Sequence, residues 1–266
     1  MDGKHSFSPP ATVPANSGAS APGAAFGDGH LAAARGTAER VITAWLRPNP
    51  AVGGSAMVTV GSADGAVRAQ VVDSTACGNA APAVAAYGDT VLVAWWAPRS
   101  GPAELRVARS GDGGRTFGHA ATAGADSSVT TCPQAAPALA VDSTGAIHLA
   151  WTGAQPSARI AYVTQPRGSR QFSALHQVSV AGGATDVRLA ADPHGLTTAW
   201  LAPEHGSVAR VARVTTDATR GLTLSAVQTM PGTATAIVLF AGRSGTQLGW
   251  VQATPQGATI TLAPIP

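Results

Sequence analysis

An apolar segment that ends in Trp occurs five times along the chain, and its near-constant spacing constrains the fold more than any other feature. From one of these Trp residues to the next the steps are 50, 56, 49 and 50 residues. A period of about 50 residues indicates a repeat architecture in which each repeat is one supersecondary unit. The five segments are Val41–Trp45, Val91–Trp95, Ile147–Trp151, Leu196–Trp200 and Thr246–Trp250.

Each Trp segment is flanked by further short apolar runs. One precedes it, most clearly at Pro82–Ala86, Pro137–Val141 and Val187–Ala191, and one follows it, at Ala56–Val60, Leu105–Ala108, Arg159–Val163, Val208–Ala212 and Ala258–Leu262. With a fourth run after these, every repeat holds four short strands, which is the blade of a β-propeller. We therefore predict an all-β, single-domain, five-bladed β-propeller over residues 1–266. The predicted blades are 27–75, 78–130, 133–181, 183–230, and 232–266 completed by 1–15, with the repeating Trp packed between blades.

The turn after one of the third strands has the sequence Ser-Gly-Asp-Gly-Gly-Arg-Thr-Phe, residues 110–117. The side chains of Ser110 and Asp112 are suited to accept hydrogen bonds from the loop backbone. Gly114 permits a positive φ, and Thr116 and Phe117 restart an extended segment. The Asp112 carboxylate is expected to be a buried hydrogen-bond acceptor. The octet resembles the Asp-box, or BNR repeat, of the sialidase-like β-propellers. That resemblance implies a structural role for it, on a hairpin away from the active face.

The two ends of the chain are predicted to complete one blade together. Asp2–Phe7 aligns position for position with Asp112–Phe117, so the amino terminus begins inside the same turn and supplies a fourth strand. The carboxyl terminus stops after a third strand, Ala258–Leu262. Pairing the two closes the ring and removes exposed sheet edges. Sialidases of the resembled family have six blades, so a sixth blade outside this chain is the alternative.

The composition narrows the class of partner. Charged residues make up 12% of the chain and its net charge is only +3, with Arg residues scattered, which excludes a nucleic-acid groove. No apolar run is long enough to span a bilayer. The first five residues do not form a signal peptide, so we interpret the chain as a mature fragment of a periplasmic or secreted protein. We expect a monomer.

Two cysteines occupy equivalent places in adjacent repeats. Cys77 and Cys132 each lie five residues before the Pro that opens an inner strand, and their segments share five of seven residues. Both are expected on one rim, near the axis, where they either form a disulfide or bind a soft metal as thiolates. Met230 and His30 lie on matching loops and are candidate further ligands. No cofactor is certain, and copper is the candidate.

The sequence does not show the full set of catalytic residues that the resemblance implies. Sialidases use an arginine triad, a Tyr activated by Glu, and an Asp, and the Phe/Tyr-Arg-Ile-Pro motif that carries their first Arg is absent. Tyr87 is expected on the wrong face, and Tyr162 and His148 in the core. The other candidates are Glu39, Glu104, Glu204, Arg40, Arg106 and Arg188.

Three functional hypotheses follow. The first is an exported, non-catalytic propeller that binds a protein or glycan on the rim that carries Cys77 and Cys132. The second is a copper-binding propeller, and the third is a glycoside hydrolase of the sialidase-like type.

Overall fold

The structure is a computed structural model of the 266-residue chain. It describes residues 31–37, 40–49, 51, 55–62, 65–125, 131–153, 159–204, 206–217, 221–242, 245–254 and 257–265. Within these ranges the chain forms nineteen β-strands in five antiparallel sheets. No helix in the described part of the chain is long and apolar enough to cross a membrane.

Each sheet is a blade whose strands follow one another in chain order from the axis outward. Blade 1 contains β1 (Leu31–Arg35), β2 (Val41–Pro48), β3 (Ser55–Ser62) and β4 (Gln70–Cys77). Blade 2 contains β5 (Ala83–Tyr87), β6 (Thr90–Ala97), β7 (Glu104–Ser110) and β8 (Ala121–Ala125). Blade 3 contains β9 (Ala138–Val141), β10 (Ile147–Thr152), β11 (Ile160–Gln165) and β12 (His176–Val178).

The last two blades follow the same plan. Blade 4 contains β13 (Asp186–Asp192), β14 (Gly195–Ala202), β15 (Val208–Asp217) and β16 (Gly221–Thr229). The described residues of blade 5 form three strands, β17 (Ala236–Gly242), β18 (Gly245–Thr254) and β19 (Gly257–Pro264). The prediction of a five-bladed propeller is confirmed. The predicted fourth strand of blade 5 falls on residues 1–15, outside the described residues.

Apolar contacts between the faces of neighbouring blades hold the ring together. The inner strands β1, β5, β9, β13 and β17 contact one another in that order, and an apolar cluster fills each of the four interfaces between them. Four of the repeating Trp residues, Trp95, Trp151, Trp200 and Trp250, are buried in these clusters, whereas Trp45 is half-buried. Trp96 meets Trp151 edge to face, with ring centroids 5.9 Å apart. The prediction that Trp packs between blades is therefore confirmed at these four positions.

The turn at Ser110–Phe117 is stabilised by its own side chains. Asp112 Oδ1 accepts hydrogen bonds from the backbone NH groups of Arg115 and Thr116, both at 2.9 Å, and Asp112 Oδ2 accepts one from Thr116 Oγ1 at 2.6 Å. Ser110 Oγ accepts from Gly114 N at 2.9 Å, and Gly114 has a φ of +89°. Phe117 packs against the core between blades 1 and 2. The expectation that Asp112 is buried is wrong, because the turn lies at the surface and its carboxylate is reached by solvent.

Removing one interfacial Trp tests whether these contacts carry the stability. We expect Trp96→Ala to lower the free energy of unfolding by about 3–5 kcal/mol, since it deletes a fully buried indole and leaves a cavity beside Trp151. Urea unfolding followed by circular dichroism measures this change. As a control, Val227→Ala on outer strand β16, where Val227 is 50% exposed, should change stability by less than about 0.5 kcal/mol.

The Asp112 turn predicts a pH-dependent contribution to stability. Hydrogen bonds from Thr116 and Ser110 lower the pKa of Asp112 in the folded chain. The resulting stabilisation is fully present above the unfolded pKa of about 3.9 and is lost as the pH falls below it. Asp112→Ala should therefore melt below the wild type at pH 7, and the difference should narrow at pH 3. A difference in melting temperature that is equal at both pH values would contradict this account.

Candidate active site

The two ends of the ring present different chemistry. The chain passes from each blade to the next at one end, here called the inter-blade end, which carries Cys77, Cys132 and Asp186. The hairpins that join the first two strands of each blade lie at the other, here called the hairpin end, which carries Tyr87, Asp142 and Asp192. Each residue that the sequence singled out can be placed by this division.

Cys77 and Cys132 form a disulfide at the inter-blade end. Their Cα atoms are 5.5 Å apart, and the bond ties the end of β4 to the loop that leads into β9. The predicted pairing is confirmed. The same bond converts both candidate thiolates into disulfide sulfurs, so copper binding through them would require prior reduction.

The other donors proposed for copper do not gather around the disulfide. Met230 is buried in the apolar cluster between blades 4 and 5, and His30 lies outside the described residues. No group of three or more His, Cys, Asp or Glu side chains suited to a metal occurs in the described part of the chain. Copper binding stays a prediction.

A charged pair begins the inner strand of blade 4. Arg188 Nη1 donates hydrogen bonds to Asp186 Oδ1 and, at 2.9 Å, to the carbonyl oxygen of Val187. Val187 pairs with Trp200, and counting from the same pairing in blades 2, 3 and 5 places Ala81, Ala136 and Ala236 at the position of Asp186. Asp186 is thus the acid among four equivalent positions near the axis. Sequence reasoning missed it, although the replacement of a repeated Ala by Asp was the available signal.

The environment of Asp186 favours its protonated form. Its side chain is 21% exposed, and this burial raises the pKa of Asp186, while the neighbouring Arg188 partly opposes the shift. A partly exposed carboxyl group with a raised pKa is suited to act as a general acid.

A second carboxylate lies at the same end of blade 4. Glu204 follows β14, three residues beyond Leu201, which pairs with Asp186. Its Oε2 pairs with Arg210 Nη2 at 2.7 Å, and Arg210 Nη1 donates to Ala181 O at 2.6 Å. The Glu204 side chain lies directly over Gly182, which has a φ of +74°, where a Cβ atom would collide with the carboxylate. The fold thus sets two carboxyl groups and two guanidinium groups at the inter-blade end of one blade.

Glu104 and Arg106 belong to an ion-pair network farther from the axis. Arg106 Nη1 is 3.3 Å from Asp73 Oδ2 and Arg106 Nε is 3.2 Å from Glu104 Oε2, so Arg106 joins blade 2 to blade 1. Trp95 Nε1 donates to the same Asp73 oxygen at 3.0 Å. Glu39 lies outside the described residues. Arg40 lines a narrow groove at the hairpin end.

The aromatic and imidazole candidates are in the core or at the hairpin end, as expected. His148 is buried and bonds Asp142 Oδ2 through Nε2 at 3.0 Å and the Tyr162 hydroxyl through Nδ1 at 2.6 Å. Burial lowers the pKa of His148 and raises the pKa of Tyr162 to about 12, and both side chains are buried in the core away from any substrate. The Tyr87 hydroxyl donates to Ser143 O at the hairpin end.

Comparison with known proteins shows the fold. No family model and no curated protein matches the chain. Among solved structures, a protein of unknown function from Dyadobacter fermentans is 15% identical with a TM-score of 0.61, covering 89% of this chain and 78% of its own. The α-L-arabinofuranosidase Arb93A of Fusarium graminearum is 14% identical with a TM-score of 0.57, covering 87% and 76%.

A third similar structure is the intramolecular trans-sialidase of Ruminococcus gnavus. It is 11% identical with a TM-score of 0.51, and the alignment covers 79% of this chain but only 51% of the trans-sialidase. The neighbours are propellers of the glycoside-hydrolase and sialidase type. The first hypothesis, a non-catalytic binding propeller, is therefore wrong as the leading interpretation, because the neighbours of stated activity are enzymes. The hydrolase alternative is better supported.

The disulfide allows a test of how strongly the inter-blade end is tied together. It closes a loop with a sequence separation of 55, which on the chain-entropy model stabilises the fold by about 4 kcal/mol. We expect the double variant Cys77→Ser, Cys132→Ser to lose about that much in urea unfolding. Cys77→Ser alone should lose at least as much, since it leaves an unpaired thiol. An unchanged unfolding midpoint in both variants would contradict the expectation.

Proposed function

We propose that this chain is a glycoside hydrolase whose site lies at the inter-blade end, with Asp186 as its general acid. The observation that carries the proposal is the half-buried Asp186 carboxyl, held by Arg188 at the start of an inner strand where blades 2, 3 and 5 have Ala. The fold neighbours support the class of reaction, since Arb93A is described in complex with an iminosugar inhibitor and the trans-sialidase with oseltamivir carboxylate. Both ligands resemble sugars.

The chemistry follows from two carboxyl groups with different roles. Arg188 engages one oxygen of Asp186, which leaves the other oxygen to carry the proton. In the proposed step Asp186 donates this proton to the glycosidic oxygen and the leaving group departs as an alcohol. Water adds its hydroxyl to the sugar and gives its other proton to the second carboxylate. Glu204, positioned by Arg210 and Gly182, provides the second carboxylate.

This assignment departs from the sialidases that the sequence resembles. Their Tyr nucleophile has no counterpart at the inter-blade end among the described residues, because Tyr162 is buried and Tyr87 lies at the hairpin end. We therefore propose a carboxylate mechanism on the scaffold of the Asp-box propellers. Membership of that group is supported by the bonding of Ser110 and Asp112 within their turn.

Replacing the acid tests the proposal directly. Wild-type protein is assayed against a panel of 4-nitrophenyl and methyl glycosides, including arabinofuranosides and sialosides. We expect Asp186→Asn to reduce kcat/KM by about 10²–10⁴-fold on methyl glycosides, whose leaving groups need protonation, and much less on 4-nitrophenyl glycosides. The wild-type rate should fall as the pH rises through the pKa of Asp186, which lies above the ordinary value of about 3.9, and the Asn variant should lack that fall.

The control is Asp89→Asn, which changes an exposed acid at the hairpin end. It should retain wild-type rates and melting temperature. The proposal fails if no glycoside on the panel is hydrolysed, or if Asp186→Asn hydrolyses methyl glycosides at the wild-type rate.

We also propose that the protein works in the periplasm or outside the cell. The disulfide between Cys77 and Cys132 supports this, because such bonds persist in oxidising compartments. Thiol alkylation of protein trapped directly from its native cells should find both cysteines oxidised. Two freely alkylated thiols would place the protein in a reducing compartment instead.

A further inference from the structure

A cleft between blades 2 and 3 opens at the hairpin end, on the side of the ring opposite Asp186. It encloses about 220 Å³. Its floor is apolar, formed by Leu92, Val141 and Ile147, and its rim carries the Tyr87 ring and two cations, Arg109 and Arg167. The proposed hydrolase site uses none of these residues.

The two arginines of the cleft have no acidic partner. Arg109 Nη2 makes a long hydrogen bond of 3.4 Å to Thr90 Oγ1. The aliphatic part of Arg167 lies across Gly145, whose positive φ and missing Cβ leave room for it. Neither guanidinium lies within ion-pair distance of a carboxylate among the described residues. Two positive charges are thus held at the mouth of an apolar cleft.

At the equivalent interface between blades 4 and 5, a carboxylate neutralises the corresponding arginine. Arg213 occupies the position that Arg109 has in blade 2. Arg213 pairs with Thr197 and Arg109 pairs with Leu92, and both Thr197 and Leu92 lie three residues before the repeating Trp of their blade. In blade 4 the inner strand ends in Asp192 instead of Tyr87. The fully buried Asp192 carboxylate lies 3.3 Å from Arg213 Nη1 and accepts a hydrogen bond from Thr246 at 2.7 Å. An internal carboxylate therefore neutralises the arginine at that interface.

The interface between blades 1 and 2 is closed at the hairpin end. The matching groove is lined by Gly36, Ile42 and Val91, and it has no room for a water molecule. These three residues occupy the positions that Tyr87, Leu92 and Ile147 have in the cleft. Asp89 accepts a hydrogen bond from Thr37 across it at 3.1 Å. The open, cationic cleft between blades 2 and 3 is thus a departure from the repeat, as Asp186 is at the other end.

We propose that this cleft binds a single acidic sugar residue, a uronate, as a site separate from the hydrolase site. Its carboxylate takes the place that Asp192 fills in blade 4 and accepts charge-assisted hydrogen bonds from Arg109 and Arg167. The ring lies over Leu92 and Ile147 with the Tyr87 ring at its side. The volume suits one sugar ring, since it is below the roughly 300–1,000 Å³ of sites for drug-sized ligands.

Titration of the intact chain with methyl β-D-glucuronide, followed by amide chemical shifts, tests the proposal. The shifts should localise to blades 2 and 3, and methyl β-D-glucoside, which lacks the carboxylate, should produce none at equal concentration. We expect Arg109→Gln and Arg167→Gln each to weaken binding about ten- to hundredfold. The matched control is Arg170→Gln, which removes an exposed charge three residues from Arg167 without touching the cleft.

A reverse substitution sharpens the test. Tyr87→Asp recreates the arrangement of Asp192 and Arg213, so it should abolish glucuronide binding while the chain keeps its fold, because Tyr87 is 43% exposed. Asp186→Asn should leave glucuronide binding unchanged, which separates this site from the proposed hydrolase site. Inorganic phosphate that binds as tightly as the glucuronide would overturn the sugar assignment. Absence of glucuronide binding, or equal binding by Tyr87→Asp, would overturn the site itself.

Discussion

The packing of one blade face against the next is the interaction on which the structure depends. A lone four-stranded blade cannot bury both of its apolar faces, so each blade gains its core only from its neighbours. Large indoles serve this purpose because the space between blades widens away from the axis, and Trp96 and Trp151 together fill it between blades 2 and 3. The inner strands are brought close to the axis as a result, and every candidate site lies at one of their ends.

The two proposed sites lie where one blade carries a residue that differs from those at the equivalent positions of other blades. Blade 4 places Asp186 where blades 2, 3 and 5 place Ala, and blade 2 places Tyr87 where blades 3 and 4 place Asp142 and Asp192. Residues that follow the repeat, such as Trp95, Trp151, Trp200 and Trp250, pack in the cores between the blades. At Tyr87 the departure leaves the guanidinium of Arg109 beside an open cleft, and at Asp186 it places a partly buried carboxyl near the axis.

The sequence lacks the arginine motif of the sialidases and offers no Tyr and Glu placed for their chemistry. This absence favoured the interpretation as a non-catalytic protein, which is wrong. Asp186 escaped notice because it belongs to no motif and stands beside an ordinary apolar run. Its pKa rises only because β13 carries it to the start of an inner strand, where packing limits its contact with water.

Short-range order and repetition in the sequence were enough to predict the strands, the five blades, the hydrogen-bonded turn at Ser110–Phe117 and the closeness of Cys77 to Cys132, whereas the disulfide between them is a finding of the structure. These features depend on local turn chemistry and on a period of about 50 residues that recurs along the sequence. Only the tertiary structure decided that Asp186 and Glu204 share one end of blade 4, that Asp112 is open to solvent, and that Arg109 and Arg167 border an open cleft. Burial and the pairing of charges depend on which side chains meet across two blades, and residues about 50 positions apart meet only when the ring is assembled.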